Sequence, residues 1–293
     1  MFFNYLDLEP SQGPPEVYVL PVPYEATVSF LPGTSQGPEA ILRASYEIET
    51  WDEQLGLDLA DLANFRTLPF FRSRAAGPEQ MLQALQDYLQ KELNPDQDFL
   101  LLLGGEHTLA LAGAFFYQQA HPDLVVLQLD AHADLRSSYQ GSPYSHASVM
   151  SRIMDLGLPL AQLGIRSLCQ EESRCIQDAG PDELLTLFSW DLPEPETAAD
   201  RLRSFVGSRP VYITFDTDVL DPSQMPGTGT PEPGGLDFAW LQRFWPRFLP
   251  GIKLVGMDFC ELLPLAGAGV VSQSLAVRCI NRILTVYWGA AHD

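Results

Sequence analysis

Five short apolar runs, at residues 17–22, 98–103, 124–130, 211–216 and 254–258, alternate with longer stretches whose apolar residues recur at helical spacing. Helices are expected at 37–50, 78–93, 108–119, 148–156, 196–205, 237–248 and 272–286. A strand that is apolar throughout must be covered on both faces, and a parallel pair needs a crossover long enough to hold a helix. The alternation therefore predicts an α/β fold whose parallel sheet lies between helices. No repeat, low-complexity tract or linker divides the 293 residues, so one domain is expected.

Composition narrows the partners. The chain carries 17 Lys and Arg against 38 Asp and Glu, a formal net charge of −21, with no basic run. Nucleic-acid binding rests on neutralising phosphates, so that class is excluded. No stretch approaches the roughly 20 apolar residues of a membrane helix. Residues 1–10 hold no basic residue and no long apolar run, unlike a secretory signal, and a cytoplasmic protein is expected. The four cysteines, Cys169, Cys175, Cys260 and Cys279, form no CxxC pair and are read as reduced packing residues.

The chemistry gathers where the apolar runs end. The run at 124–129 leads into Asp130-Ala-His132-Ala-Asp134. Side chains alternate along a strand, so residues spaced by two at its end converge on one side. The run at 211–215 leads likewise into Asp216-Thr-Asp218, while Asp221, before Pro222, suits a turn or a helix cap better than a ligand position. After the run at 99–103, Gly104 and Gly105 allow a sharp turn that delivers His107 to the same edge. His107, Asp130, His132, Asp134, Asp216 and Asp218 then supply two imidazoles and four carboxylates. Four carboxylates balance two divalent ions, and an oxygen-rich set without thiolate points to Mn²⁺ or a similar first-row ion. Metal-activated hydrolysis is the expected reaction class, with the ions about 3.5–4 Å apart.

These motifs, GGEH at 104–107, DAHAD at 130–134, SHAS at 145–148, FDTDVLDP at 215–222 and GTPEPGG at 229–235, resemble those of the ureohydrolases, the superfamily of arginase and agmatinase. Residues 27–45 are particularly similar to agmatinases. The resemblance implies an arginase-like, three-layer α-β-α fold with a central, mostly parallel sheet. It implies two Mn²⁺ per subunit, one held by His107, Asp130, Asp134 and Asp216 and the other by Asp130, His132, Asp216 and Asp218. It further implies that His146 relays protons, that Glu261 holds the substrate guanidinium, and that Asp134 carries a proton to the departing amine. Asp258 is expected to support the site or position substrate, and Glu106 to orient a ligand.

The segment 135–146 resembles agmatinases and does not match the arginase pattern, so the expected substrate is a small cationic guanidino compound. Agmatine comes first, N1-aminopropylagmatine second, and guanidinobutyrate or guanidine third. Two features depart from the pattern. Arg136 is expected to pair with an acidic surface group, and residues 262–269 lack the acidic residue that many agmatinases carry after the proline. A deacetylase-like amidohydrolase acting on acylated polyamines is the alternative of a different class; it normally has one zinc and fewer aspartates. An inactive assembly subunit is a third reading, opposed by the intact Glu261 and His146. The family suggests a homo-oligomer, a trimer or hexamer.

Overall fold

A computed structural model describes residues 17–73, 77–265 and 270–290. Its strands, in chain order, are β1 (Val17–Val22), β2 (Trp51–Asp52), β3 (Leu57–Asp58), β4 (Phe65–Thr67), β5 (Phe99–Gly104), β6 (Val125–Leu129), β7 (Leu160–Ile165), β8 (Leu184–Phe188), β9 (Val211–Asp216) and β10 (Leu254–Cys260). β2 and β3 form a small antiparallel pair. The other eight make one sheet in the order β4-β1-β5-β10-β9-β6-β7-β8, with every described pairing parallel. The layered, parallel arrangement is the one expected, and the sheet is wider than expected: β4, β7 and β8 were not among the apolar runs.

Both sheet faces are buried, and the pleat sorts the side chains between them. Leu101, Leu127, Ile213 and Met257 face one way, into a core completed by the helices Gly37–Ala44, Pro195–Val206, Phe238–Phe248 and Val271–Gly289. Leu100, Leu102, Val126 and Tyr212 face the other way, toward Pro78–Glu92, Ala110–Gln118 and Val149–Asp155. A parallel sheet must be covered in this way, since neither face can be left to water.

The helix expected over 37–50 ends at Ala44. Ser45 is buried and turns its hydroxyl back to the carbonyl of Leu42, and the chain then enters β2. The helix expected from 108 is preceded by a 3-10 turn, His107–Leu109. A helix at Gln170–Asp178, not among those expected, links β7 to β8. The four cysteines are free thiols. No described helix is long and apolar enough to cross a membrane.

The chain passes from β5 to β6 across a gap later filled by β10 and β9, so β5, β10, β9 and β6 lie side by side at the centre. Loops leaving the carboxyl ends of such strands diverge, which opens a crevice there.

Candidate metal centre

Each strand end is bent into place by its own carboxylates. Asp130 accepts from the His132 amide (2.6 Å), Asp216 from the Asp218 amide (2.9 Å), and Asp218 reaches across to the Ala131 amide (2.9 Å). At the end of β5, Gly105 lies so close to the preceding loop that a Cβ would stand 2.0 Å from the Tyr24 carbonyl oxygen. Only glycine permits that approach. His107 follows, its backbone N–H donating to Glu261 Oε1 at 2.7 Å. Among the described residues, three non-glycine residues adopt positive φ, and two of them are Asp134 (54°) and Glu261 (63°). A backbone held there costs of order 1 kcal/mol or more, which the surrounding hydrogen bonds must offset.

The sequence-predicted ligands meet. His107 Nδ1 lies 3.1 Å from Asp130 Oδ2, 3.1 Å from Asp134 Oδ2 and 3.5 Å from Asp216 Oδ2. His132 Nδ1 lies 2.9 Å from Asp218 Oδ2 and 3.6 Å from Asp130 Oδ1. Two triads, His107-Asp130-Asp216 and Asp130-His132-Asp218, each bring their donor atoms within 4.8 Å of one another, and Asp130 belongs to both.

Burial makes this cluster costly without cations. Among these side chains Asp134 is pushed up to about 7, by burial first and then by the charge of Asp130. Asp216 rises well above the carboxylate range through burial, then Asp218 and Asp130. Burial would lower both imidazoles, but the carboxylates hold His107 and His132 well above their ordinary value. Burial would likewise raise Asp130, but its hydrogen bonds to the two histidines hold it below the ordinary range.

The neighbours of His107 fix how its ring is presented. Thr214, on β9, donates its hydroxyl proton to Asp258 Oδ1 (2.8 Å) and therefore accepts from His107 Nε2–H at 2.7 Å. That fixes the tautomer of the neutral ring: once Nδ1 gives up its proton to a cation, its lone pair points at the carboxylate cluster. A preset imidazole and a shared, buried carboxylate set fit a pair of divalent ions.

Beside the centre lies a cavity of about 240 Å³ lined by Ser29, His132, Asp134, Tyr139, His146 and Thr230, among others. A narrower recess shares Ser29, His146 and Thr230 and reaches Glu261. The ring of His146 contacts Thr27 Oγ1 (2.9 Å) and Ser29 Oγ (3.3 Å). Burial, then the charges of His132 and His107, lower it to about 4, so it is neutral near pH 7. Glu261 is raised well above its ordinary value by burial and then by Glu106.

Three expectations change. Asp258, expected to support the site or position substrate, is fully buried behind Thr214 and lines neither opening. Glu106 meets no ligand side chain; its carboxylate takes the amides of Ala26 and Thr27 (both 2.7 Å), anchoring the loop whose Thr27 touches His146. Arg136 has a carboxylate partner, but Glu172, 3.7 Å away, is buried rather than at the surface, and the guanidinium also lies over the Tyr139 ring. Asp221 makes the turn expected of it, accepting from Ser223, Gly234 and Gly235. Residues 266–269 of the glycine-rich loop lie outside the described residues.

Sequence reasoning missed Thr27 and Ser29, whose loop resemblance carried no role for individual residues, and it missed Arg166. That guanidinium donates to the carbonyls of Gly164, Asp218, Val219, Glu232 and Pro233, tying the end of β7 to two stretches of the segment that follows β9. A lone Arg outside every expected strand and helix gave no such signal.

A family model described as the arginase family matches residues 15–285. The chain is 33% identical over 278 residues to the N(1)-aminopropylagmatine ureohydrolase of Synechocystis sp., covering 93% of this chain and 89% of that protein. It is 33% identical over 268 residues to the agmatinase of Bacillus cereus, covering 89% and 88%. Among solved structures, the proclavaminate amidino hydrolase of Streptomyces clavuligerus superposes with a TM-score of 0.82 at 28% identity, covering 99% of this chain and 97% of that one.

Proposed function

The chain belongs to the arginase family, and from that premise we propose that it hydrolyses agmatine to putrescine and urea. It is a metal-dependent ureohydrolase acting on guanidino compounds. One observation carries the reading: His107, Asp130, His132, Asp134, Asp216 and Asp218 converge at the ends of adjacent strands, with Glu261 beside them. We assign the six as ligands of two Mn²⁺, His107, Asp130, Asp134 and Asp216 to one ion and Asp130, His132, Asp216 and Asp218 to the other.

When bound, the ions would supply Lewis-acid activation of water and stabilise charge on the substrate. The rest falls to the chain. Glu261 sits in a recess that burial makes hostile to a lone carboxylate, so a planar guanidinium, donating paired N–H bonds, restores its charge balance and fixes the central carbon toward the ligand cluster. Asp134 faces that point and carries a proton to the departing nitrogen, since an aliphatic amine leaves poorly unprotonated. His146, neutral near pH 7 and reaching the more open cavity, exchanges that proton with solvent. Asp258 acts through Thr214 on His107.

A second reading, cleavage of N1-aminopropylagmatine, is favoured by the name of the Synechocystis relative and by the rim beside Glu261, where Phe30 and Leu31 are exposed and apolar. A longer substrate carries its second ammonium past that rim. We further propose one domain, since the sheet draws strands from the whole chain, a cytoplasmic location, a place in polyamine synthesis, and a closed homo-oligomer, a trimer or hexamer. Urea release from agmatine, aminopropylagmatine, arginine, guanidinobutyrate and guanidine, with metal content measured in parallel, tests the function. Urea from agmatine above all others is expected. Acetate from an acetylpolyamine without urea from any guanidine contradicts it.

A further inference from the structure

One register row of the sheet is polar from β10 to β8. Asp258 pairs with Thr214, Thr214 with Gln128, Gln128 with Gln162, and Gln162 with Thr186. Asp258, Thr214, Gln128 and Gln162 are fully buried, on the face that elsewhere carries Leu100, Val126 and Tyr212. Burying two primary amides in an apolar sheet is unfavourable unless their hydrogen bonds are made.

They are made, and in one direction. The Gln128 amide nitrogen faces two acceptors, Asp130 Oδ2 (2.8 Å) and the His132 carbonyl (3.1 Å), so that end is the NH₂. Its oxygen therefore accepts, from Gln162 Nε2 at 2.7 Å. The other proton on that nitrogen goes to the Ala133 carbonyl (2.9 Å), which leaves Gln162 Oε1 to accept from the Thr186 hydroxyl at 2.8 Å. Every donor in the chain Thr186, Gln162, Gln128 points toward Asp130, and aligned hydrogen bonds polarise one another. Along the way the two glutamines hold the carbonyls of His132 and Ala133, two successive residues of the turn that carries His132 and Asp134.

We infer that Gln162 and Thr186 are positioning residues for the ligand cluster, acting from one and two strands away through Gln128 on the carboxylate of Asp130. The inference rests on the metal-dependent reading above. Asp130 is the carboxylate common to both triads. Its Oδ1 is held by the His132 amide and its Oδ2 by Gln128, so those two bonds set its rotation about the Cβ–Cγ bond. Without Gln162, Gln128 loses its acceptor's partner and is free to turn its amide away. Without the Thr186 hydroxyl, Gln162 Oε1 is orphaned and the same loosening begins one strand further out.

The test is the affinity for Mn²⁺, measured by competition with a chelating dye, in the whole protein and in Thr186→Val, Thr186→Ser and Gln162→Met. Valine keeps the shape of threonine and removes its hydroxyl; serine keeps the hydroxyl. Partners of metal ligands typically change affinity by about 10–100-fold. Gln162→Met is expected to weaken Mn²⁺ binding about 10-fold or more and Thr186→Val about 3-fold or more, the smaller effect reflecting the extra step in the chain. Thr186→Ser is expected to stay within about two-fold of the parent, and KM for agmatine at saturating Mn²⁺ to stay unchanged in all three. A merely structural role would lower the melting temperature of metal-free and Mn²⁺-loaded protein alike and leave the affinity untouched. Thr186→Val binding Mn²⁺ as tightly as the parent therefore overturns the inference, even if Gln162→Met fails to fold. A parent that takes up no Mn²⁺ overturns the metal reading itself, and the relay with it.

Discussion

Replacing Thr214 with valine isolates the tautomer control of His107. The hydroxyl makes two buried bonds, accepting from His107 Nε2–H at 2.7 Å and donating to Asp258 Oδ1 at 2.8 Å. In the metal-free variant the imidazole, whose Nδ1 proton Asp130 and Asp134 accept 3.1 Å away, escapes most of the loss by releasing its Nε2 proton. Metal binding forbids that escape, because Nδ1 must present a lone pair and Nε2–H is left buried without an acceptor. An orphaned buried donor costs about 1–3 kcal/mol, and here the cost falls on the metal-bound state alone. Each 1.4 kcal/mol is about tenfold, so Mn²⁺ should bind about 5- to 150-fold more weakly. Competition with a chelating dye reads this directly, and Thr214→Ser, which keeps the hydroxyl, should bind like the parent. A Thr214→Val protein that melts earlier yet keeps the parent's affinity would show that Thr214 supports the fold without tuning His107.

Three further outcomes follow from the same geometry. Glu261→Gln should retain its Mn²⁺ but lose at least about 100-fold in kcat/KM for agmatine, because the neutral amide cannot form the charged pair that aligns the guanidinium; near-parent turnover would remove Glu261 from the site. In the metal-free protein, Asp134 at about 7 and the raised Asp216, His107 and His132 contribute stability that is fully present below their unfolded values and is lost as pH rises through the folded ones, whereas the lowered Asp130 matters only in strong acid. Melting temperature without metal should therefore fall between pH 5 and 8, and Mn²⁺ should raise it most at the alkaline end; a metal-free protein that gains stability over that window contradicts the assigned shifts. Arg166→Met should cost about 3 kcal/mol or more in urea unfolding, since five carbonyls lose a charged donor, and a loss below about 1 kcal/mol would show that water replaces it readily.

What the sequence shows of the fold depends on burial. β5, β6, β9 and β10 are central, covered on both faces and nearly apolar, so their runs stand out, and the motifs at their ends locate the ligand cluster before any coordinates. β7, Leu160–Ile165, is equally buried, but Gln162 breaks its apolar run and Gly164, at φ 96°, resembles a turn residue. Both departures have uses that only the neighbouring strands reveal: the glutamine bonds to Gln128, and the glycine lies against Val219 and the carbonyl of Asp130. β8 is half-buried, and β4 is three residues long at the sheet edge, too short to carry a periodic signal. Glu106 and Asp258 were read from their place in motifs. Motif position fixes that a residue belongs near the site, but the partner it takes depends on packing, which sent one to the 26–27 loop and the other behind Thr214. A guanidinium such as Arg166, bonded to carbonyls alone, leaves no pattern in the residues that receive it.

The proposed centre holds two ions shared by carboxylates from two strands. Metal content per chain, measured after loading with Mn²⁺ and exhaustive desalting, tests it most directly in the parent protein and in Asp216→Asn. The parent should hold two ions per chain. The variant, which keeps the shape of the side chain and removes its charge, should retain fewer and release urea at a small fraction of the parent rate. A parent that holds one ion or none, or an Asp216→Asn protein with two ions and full activity, would show that these carboxylates do not hold a pair of ions.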